Sequence, residues 1–395
     1  MISCLKRLFI LLVILQQFEA LGCRFNVRDV GFVDLGSEPY RLYLFVGDAM
    51  PTTERESLQS IAVATFYDTN VKPKLVALGQ ARQTAVKGFV PSGFTGQTPM
   101  AVLVSPDQKR TLAVSLVEEG RPVLQTAWDA LELLVDSPRR NTVLKKVFDR
   151  YGVVLIIEGS DATENRRVRS MADAAVSRIT AAMPGLEKEI QRPPVVEVIS
   201  ADDYGAERAF LWSLGIGEGA SSPQVVILYG RGRMIGPVLS GERLSQSSVS
   251  AILTTIGLNC ECGLDRKWMQ GIMVPLKWDR DRKQEIAKQL GFNPESPEIR
   301  IEMSQIIAKG GPGQGVNRSK IVGDTLDDLL TGYRTGSLPS GNTPEPIANP
   351  PGQAFETEKP PAPEFPMSAW ISLAGILILI VGGLIVLGAH RRESH

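Results

Sequence analysis

One order of elements occurs twice in this chain and restricts its fold more than any other feature. Leu42 to Val46 is predicted as a strand. A helix follows it: Thr53 and Glu56 have capping-box spacing, and Leu58, Ile61, Ala62, Thr65 and Phe66 fall on one face. Lys74 to Leu78 reads as a second strand and Gly88 to Gln97 as a Gly/Pro/Thr-rich loop. Thr98 and Pro99 lead into a strand at Met100 to Val104. A turn at Pro106 and Asp107, a strand at Thr111 to Leu116 and a helix carrying Trp128, Leu131 and Leu134 complete the first copy.

After a connector helix, Asn141 to Arg150, with Val143, Leu144, Val147 and Phe148 as its apolar set, the order begins again. Val153 to Ile157 is an apolar strand. Asp161 and Glu164 open a helix whose Val168, Met171, Ala172, Ala175, Val176 and Ile179 share a face, and Pro184 with Gly185 stops it. Val195 to Ile199 is the next strand and Glu207 to Leu214 a short helix. Ser222 and Pro223 lead into a strand at Gln224 to Tyr229, and a hairpin through Gly230 to Arg233 returns as Met234 to Leu239. Val249, Ile252, Leu253 and Ile256 mark the last helix. Strands alternating with helices need a sheet covered by helices, so the reading is α/β, with two domains in tandem. Phe25 to Leu35 reads as an extended lead-in, Trp268, Met269, Ile272, Met273 and Val274 as an apolar patch capping the second domain, and Asp279 to Leu290 as an amphipathic helix.

The two ends predict where these domains reside. Lys6 and Arg7 precede the apolar run Leu8 to Leu15, with Ala20 and Gly22 at cleavage spacing, the layout of a secretory signal peptide. Cleavage after Gly22 would leave Cys23 first. This resembles a lipoprotein processing box with Ala20 where leucine is usual, and it makes Cys23 a candidate for lipidation and a bacterial source the expectation. Ala369 to Ala389 contains no charged side chain in 21 residues, enough for one membrane-spanning helix. Arg391 and Arg392 just beyond it predict a cytoplasmic C-terminus and an extracytoplasmic N-terminal part. From Pro339 to Pro366 the chain has nine prolines in 28 residues, a disordered Pro-rich spacer reaching on the order of 80 Å. The expected organisation is a signal peptide at 1–22, domains at 23–140 and 141–265, a helical extension at 266–309, a linker at 310–367, the span at 369–389 and a tail at 390–395.

Composition excludes more chemistry than it offers. The two histidines, His390 and His395, lie beyond the span, so the exported part lacks imidazole for nucleophilic triads, zinc ligation or proton transfer. Lys plus Arg and Asp plus Glu are equal at 43 each, which gives no field favouring nucleic acid. The mature chain would keep Cys23, Cys260 and Cys262. A tight bridge between Cys260 and Cys262, a bridge from one of them to Cys23, or buried thiols are all compatible with the spacing. Two thiolates without nearby histidine fall short of a metal site. Gly230, Gly232 and Gly236 miss G-x-G-x-x-G, and Gly310 and Gly315 have Walker A spacing but Val316 and Asn317 where Lys and Ser/Thr belong, so no cofactor and no small-molecule ligand is expected. Arg231 and Arg233 read as the solvated tip of a hairpin, candidates for contact with an anion or acidic partner.

The second copy, SSPQVVILYGRGRMIGPVLSGE, and its echo QTPMAVLVSPDQKRTLAVSL resemble the thioredoxin fold over roughly Leu42 to Val135 and Val153 to Leu258. The resemblance implies a mixed sheet flanked by helices in each domain, and cis peptide bonds before Pro99 and Pro223. It also implies a redox pair at the start of the first helix, where this chain has Asp48 to Pro51 and Asp161 to Glu164 without cysteine. Two degenerate thioredoxin-like domains imply a non-catalytic binding or scaffolding role beside other membrane or exported proteins. The rival is thiol–disulfide exchange through Cys260 and Cys262.

Overall fold

The computed structural model describes residues 24–96, 98–186, 188–217, 219–258 and 270–309. All lie in the first of two compact units, Met1–Leu338 and Pro339–His395. The signal, Cys23, Cys260, Cys262, the linker and the expected span lie outside the described residues. Among those described, no helix is long and apolar enough to cross a membrane.

Two four-stranded mixed sheets organise the unit. In the first lobe β1 (Tyr40–Val46) pairs in parallel with β2 (Val71–Ala77) and antiparallel with β3 (Met100–Val104), which pairs antiparallel with β4 (Thr111–Ser115), in the order β2-β1-β3-β4. All of β1 except Arg41 is buried, because both faces of a central strand are covered. Leu42, Leu44 and Val46 face the helices α2 (Thr52–Phe66) and α4 (Val123–Glu132), meeting Leu58, Ala62, Phe66, Ala127 and Leu131. Tyr43 and Phe45 point to the other side. There α3 (Leu78–Arg82) and a 3₁₀ turn at Ala85–Phe89 fill in, with Tyr43 stacked on Phe89 at 5.5 Å.

The second lobe repeats the order. β5 (Val153–Ile157) pairs in parallel with β6 (Val195–Ile199) and antiparallel with β7 (Gln224–Tyr229), and β8 (Arg233–Leu239) closes the sheet beyond β7. Val154 and Ile156 pack toward α6 (Ala162–Ala182) and α8 (Gln246–Gly257). Val153, Leu155 and Ile157 pack toward α5 (Pro138–Asp149) and α7 (Arg208–Ser213). Two elements beyond the repeat join these cores: α9 (Arg280–Leu290), capped by Asp279, supplies Ile286, and α10 (Pro297–Lys309) supplies Ile299, Met303 and Ile307. Both sheets have the strand order and directions that the thioredoxin resemblance implies.

Four expectations are corrected. Phe25 to Leu35 is not extended: α1 (Val27–Phe32) forms there behind a capping box between Asn26 and Asp29. Six residues are too few to show periodicity, and such a helix stands only by packing. Phe25, Val27, Val30 and Val33 pack into the second lobe's core, so this segment does not belong with the 23–140 domain. Thr53 and Glu56 do not cap α2; Pro51 takes the N-cap position and the helix begins at Thr52. The peptide bonds before Pro99 and Pro223 are trans, since no described bond is cis. Trans is the lower-energy isomer of an X–Pro bond, and the cysteine pair that a cis proline faces is missing here.

Candidate functional site

The positions where the fold would place a redox pair are filled with structural hydrogen bonds. At the start of α2, both Asp48 carboxylate oxygens accept from the Gly79 amide at 3.1 Å, tying the loop to α3. The Arg55 guanidinium turns back to donate to the carbonyls of Asp48 and Met50, each at 3.2 Å. At the start of α6, Asp161 accepts from the Thr163 and Glu164 amides at 2.8 and 3.2 Å. The carboxamide of Asn165 grips the backbone of Gly159 through both its N–H and its carbonyl. At α6 the Asp161 carboxylate takes helix amides that could lower a thiolate pKa, whereas at α2 the Pro51 N-cap has no side-chain cap and the contacts of Asp48 and Arg55 tie the preceding loop in place. Among the described residues no group of three or more acidic, histidine or cysteine side chains could hold a metal ion.

The expectation for Arg231 and Arg233 is also corrected, because they are not a solvated hairpin tip. Gly230 and Gly232 do supply the positive φ angles expected of the turn, +56° and +69°. Arg233, however, is 1% exposed, and donates to the carbonyls of Gly31 and Gly271 and to Ser37 Oγ, with Asp34 at 3.5 Å. Arg231 pairs with Glu295 at 2.7 Å and lies 4.2 Å from the Trp278 ring centroid. Burial pushes the Arg231 guanidinium down to about 10, with Glu295 and Asp34 opposing, so it stays protonated at neutral pH. The turn lies under α1: a Cβ on Gly230 would meet the Gly31 backbone at 2.4 Å. Only glycine at both positions permits that approach, and the arginines are internal rivets rather than anion ligands.

The extended residues 271–278 form a strap that binds both lobes. On the second lobe, Met234 donates to Ile272 O and Val274 to Gly232 O. On the first, Asn70 donates to Val274 O at 2.9 Å and accepts from the Leu276 amide at 3.0 Å, Tyr40 donates to Met273 O, and the Trp278 amide donates to Asp68 O. The expected capping by this region is seen for Met273 and Val274, which are buried in the second lobe's core.

The described ends of the cysteine-bearing segments come together. Val27 N donates to Leu258 O at 2.8 Å, and Gln270 donates to the carbonyls of Val30 and Val33, so both flanks of residues 259–269 are held by α1.

An open groove of about 660 Å³ lies between α2 and α4 of the first lobe, lined by Thr53, Glu56, Ser57, Ser60, Ile61 and Leu124 together with Gln125 and Trp128. Leu124 is 39% exposed and Trp128 46%, unusual for large apolar side chains without a partner. Trp128 lies on a helix, as the sequence pattern predicts, with its indole exposed and donating to Glu132 at 3.3 Å.

No protein-family model matches this chain, and no curated protein matches it. Among solved structures it is similar to the first two thioredoxin domains of Saccharomyces cerevisiae Eps1p, at 8% identity and a TM-score of 0.20 over 55% of this chain and 92% of that one. It is similar to ERdj5 at 10% identity and a TM-score of 0.20, over 55% of this chain and 26% of that chain. Human ERp44 in its zinc-bound form matches at 11% identity and a TM-score of 0.20, over 79% and 93%. Likeness at that level carries no weight for function, and the fold assignment rests on strand order and direction in each lobe.

Proposed function

We propose that this protein is a non-catalytic binding or scaffolding module, exported by its N-terminal signal and tethered by the helix Ala369 to Ala389, with partners among other membrane or exported proteins. The observation that carries this reading is the occupation of both redox-equivalent helix starts by Asp48 with Arg55 and by Asp161 with Asn165. A thiol enzyme keeps those amides free for its nucleophile. This chain has no cysteine at either start: Asp161 caps the amides of α6, and Asp48 with Arg55 ties the loop before α2 to backbone groups, while the sheet and helices that build a surface are kept.

The test is affinity purification of the full chain from membranes, paired with protease protection of intact cells. A membrane or exported protein retained in stoichiometric amount, with the N-terminal part cleaved from outside, is the expected result. Catalysed disulfide reduction or oxidation by the purified chain, abolished by Cys260→Ser, overturns the reading.

That second outcome defines the alternative, a thiol–disulfide protein acting through Cys260 and Cys262. The Val27–Leu258 hydrogen bond, which sets a residue four positions after Cys23 beside a residue two positions before Cys260, suits a bridge between those two cysteines, the outcome that would count against exchange. Mass-spectrometric mapping of the three thiols separates the cases. A reversible Cys260–Cys262 bridge supports exchange, whereas an inert bridge to Cys23 is a staple.

A further inference from the structure

We infer that the groove between α2 and α4 is the docking site for an amphipathic helix with basic flanks, supplied by a partner protein; this rests on the binding reading above and names the partner's chemistry. Two observations carry it. The first comes from the internal repeat. In the second lobe the equivalent pair, α6 and α8, does not stand alone. Helix α1 packs on α8, and α10 places Ile299, Met303 and Ile307 in the same buried cluster, anchors spaced four residues apart along a helix. The same layer of the same fold is completed there by amphipathic helices from the chain itself. In the first lobe the six-residue α7 reaches the α2–α4 cluster through Ala209 and Trp212, but among the described residues no helix covers the groove itself, and Ile61, Leu124 and Trp128 are left lining it.

The second observation is charge. Glu56 is the only charged residue lining the groove, and among the described residues its carboxylate makes no hydrogen bond or ion pair. Asp129 and Glu132 on α4 accept from the groove residues Gln125 and Trp128. The neighbouring cations are already engaged: Arg121 with Glu118 and Asp129, Lys277 with Glu132 and Asp136, and Arg55 with backbone carbonyls. An incoming helix therefore meets an apolar wall, the hydroxyls of Thr53, Ser57 and Ser60, the free carboxylate of Glu56, and a rim where each of two cations is shared between two carboxylates, leaving negative charge in excess. Apolar anchors at i, i+3 and i+4 with lysine or arginine beside them satisfy all of these. The part of α2 that lines the groove, Thr53 to Ile61, is about 13 Å long, which accommodates about two to three turns of a ligand helix.

The test titrates the full chain, by fluorescence anisotropy, against a labelled helical peptide of about 14 residues. The peptide has leucine at the i, i+3, i+4 positions and lysine elsewhere, and a sister peptide has glutamate for lysine. The lysine peptide is expected to bind, and the glutamate peptide at least about tenfold more weakly. Leu124→Asp and Trp128→Glu are expected to weaken the lysine peptide at least about tenfold, as central anchors do, and Glu56→Lys severalfold. All three side chains are exposed, so unchanged urea midpoints will verify folding, and Glu56→Lys, furthest from the core, serves if a larger change disturbs it. Binding unaffected by Leu124→Asp, or a preference for the glutamate peptide, overturns the proposal. Self-association of the chain that Leu124→Asp abolishes, without peptide binding, overturns it in favour of a second copy. A membrane partner that co-purifies equally with wild type and Leu124→Asp removes this groove as the site while leaving the binding reading standing.

Discussion

Buried charge sets the energetics at the level of single residues. Glu207 is fully buried, and its carboxylate accepts from Ser137 Oγ at 2.6 Å and from the amides of Arg139 and Arg140 at 2.8 and 3.3 Å. It caps α5 from a distance, where Ser137 at the N-cap position provides no side-chain cap of its own. Arg140, likewise buried, donates to the carbonyls of Leu133 and Leu134, and burial pushes its guanidinium down to about 10. Glu207→Ala strands three donors and leaves Arg140 without its nearby anion, so a loss of about 2–4 kcal/mol is expected in urea unfolding, with the slope unchanged. Nothing in the sequence distinguishes Glu207 among 43 acidic residues, because its role depends on a helix 70 positions away. Arg231 and Arg233 were legible as residues of a tight turn but not as buried ones, since what covers them is α1, about 200 residues earlier.

At the level of elements, the strap has no period to read, and its partners are backbone groups. The carboxamide of Asn70 imitates one rung of a β ladder, donating to Val274 and accepting from Leu276. Asn70→Ala is expected to destabilise by about 1–3 kcal/mol and to raise amide exchange at Leu276 first, measured by hydrogen exchange. Lys277 clamps the strap to the end of α4 and to Asp136 four residues beyond it, reaching Asp136 at 2.8 Å and Glu132 at 3.1 Å. For Asp136 desolvation pushes upward, but hydrogen bonds from Lys277 and Asn141 prevail and hold it below its ordinary 3.8. For Lys277 desolvation pushes downward, but hydrogen bonds to Asp136 and Glu132 prevail and hold it above its ordinary 10.5. A depressed carboxylate contributes stability above its unfolded value and loses it as pH falls through the folded one; a raised ammonium contributes below its unfolded value and loses it as pH rises through the folded one. The clamp is therefore complete between these limits. The urea midpoint should drop from pH 7 to pH 3, less steeply in Asp136→Asn. Strands with both faces covered, such as Val153–Ile157, were plain in the sequence as unbroken apolar runs; α1 and the strap were not, because each is ordered by neighbours rather than by its own pattern.

For the molecule as a whole, two lobes share one strap. They are expected to unfold in a single calorimetric transition, which Asn70→Ala combined with Tyr40→Phe should broaden or split by weakening the first lobe's hold on the strap. The repeat made the double α/β architecture readable, but the groove was not. Trp128 sits at a helical spacing that serves equally for a core face and for a docking edge, and only the absence of a covering helix distinguishes them.

The long reach of α1 has a consequence for how the protein is born. Arg24 meets Glu302 across 278 positions, and Phe25 lies against Phe292, so the second lobe is sealed by the first described residues and nearly the last. The first lobe is an insert in that circuit, its core nearly complete by Val135 with only Ala209 and Trp212 added later. It can mature early from near-neighbour contacts, whereas its companion must hold an unfinished apolar surface until α10 emerges. Contacts so distant in sequence are slow to form, and in that interval the nascent chain is most exposed to aggregation and most in need of a holding chaperone.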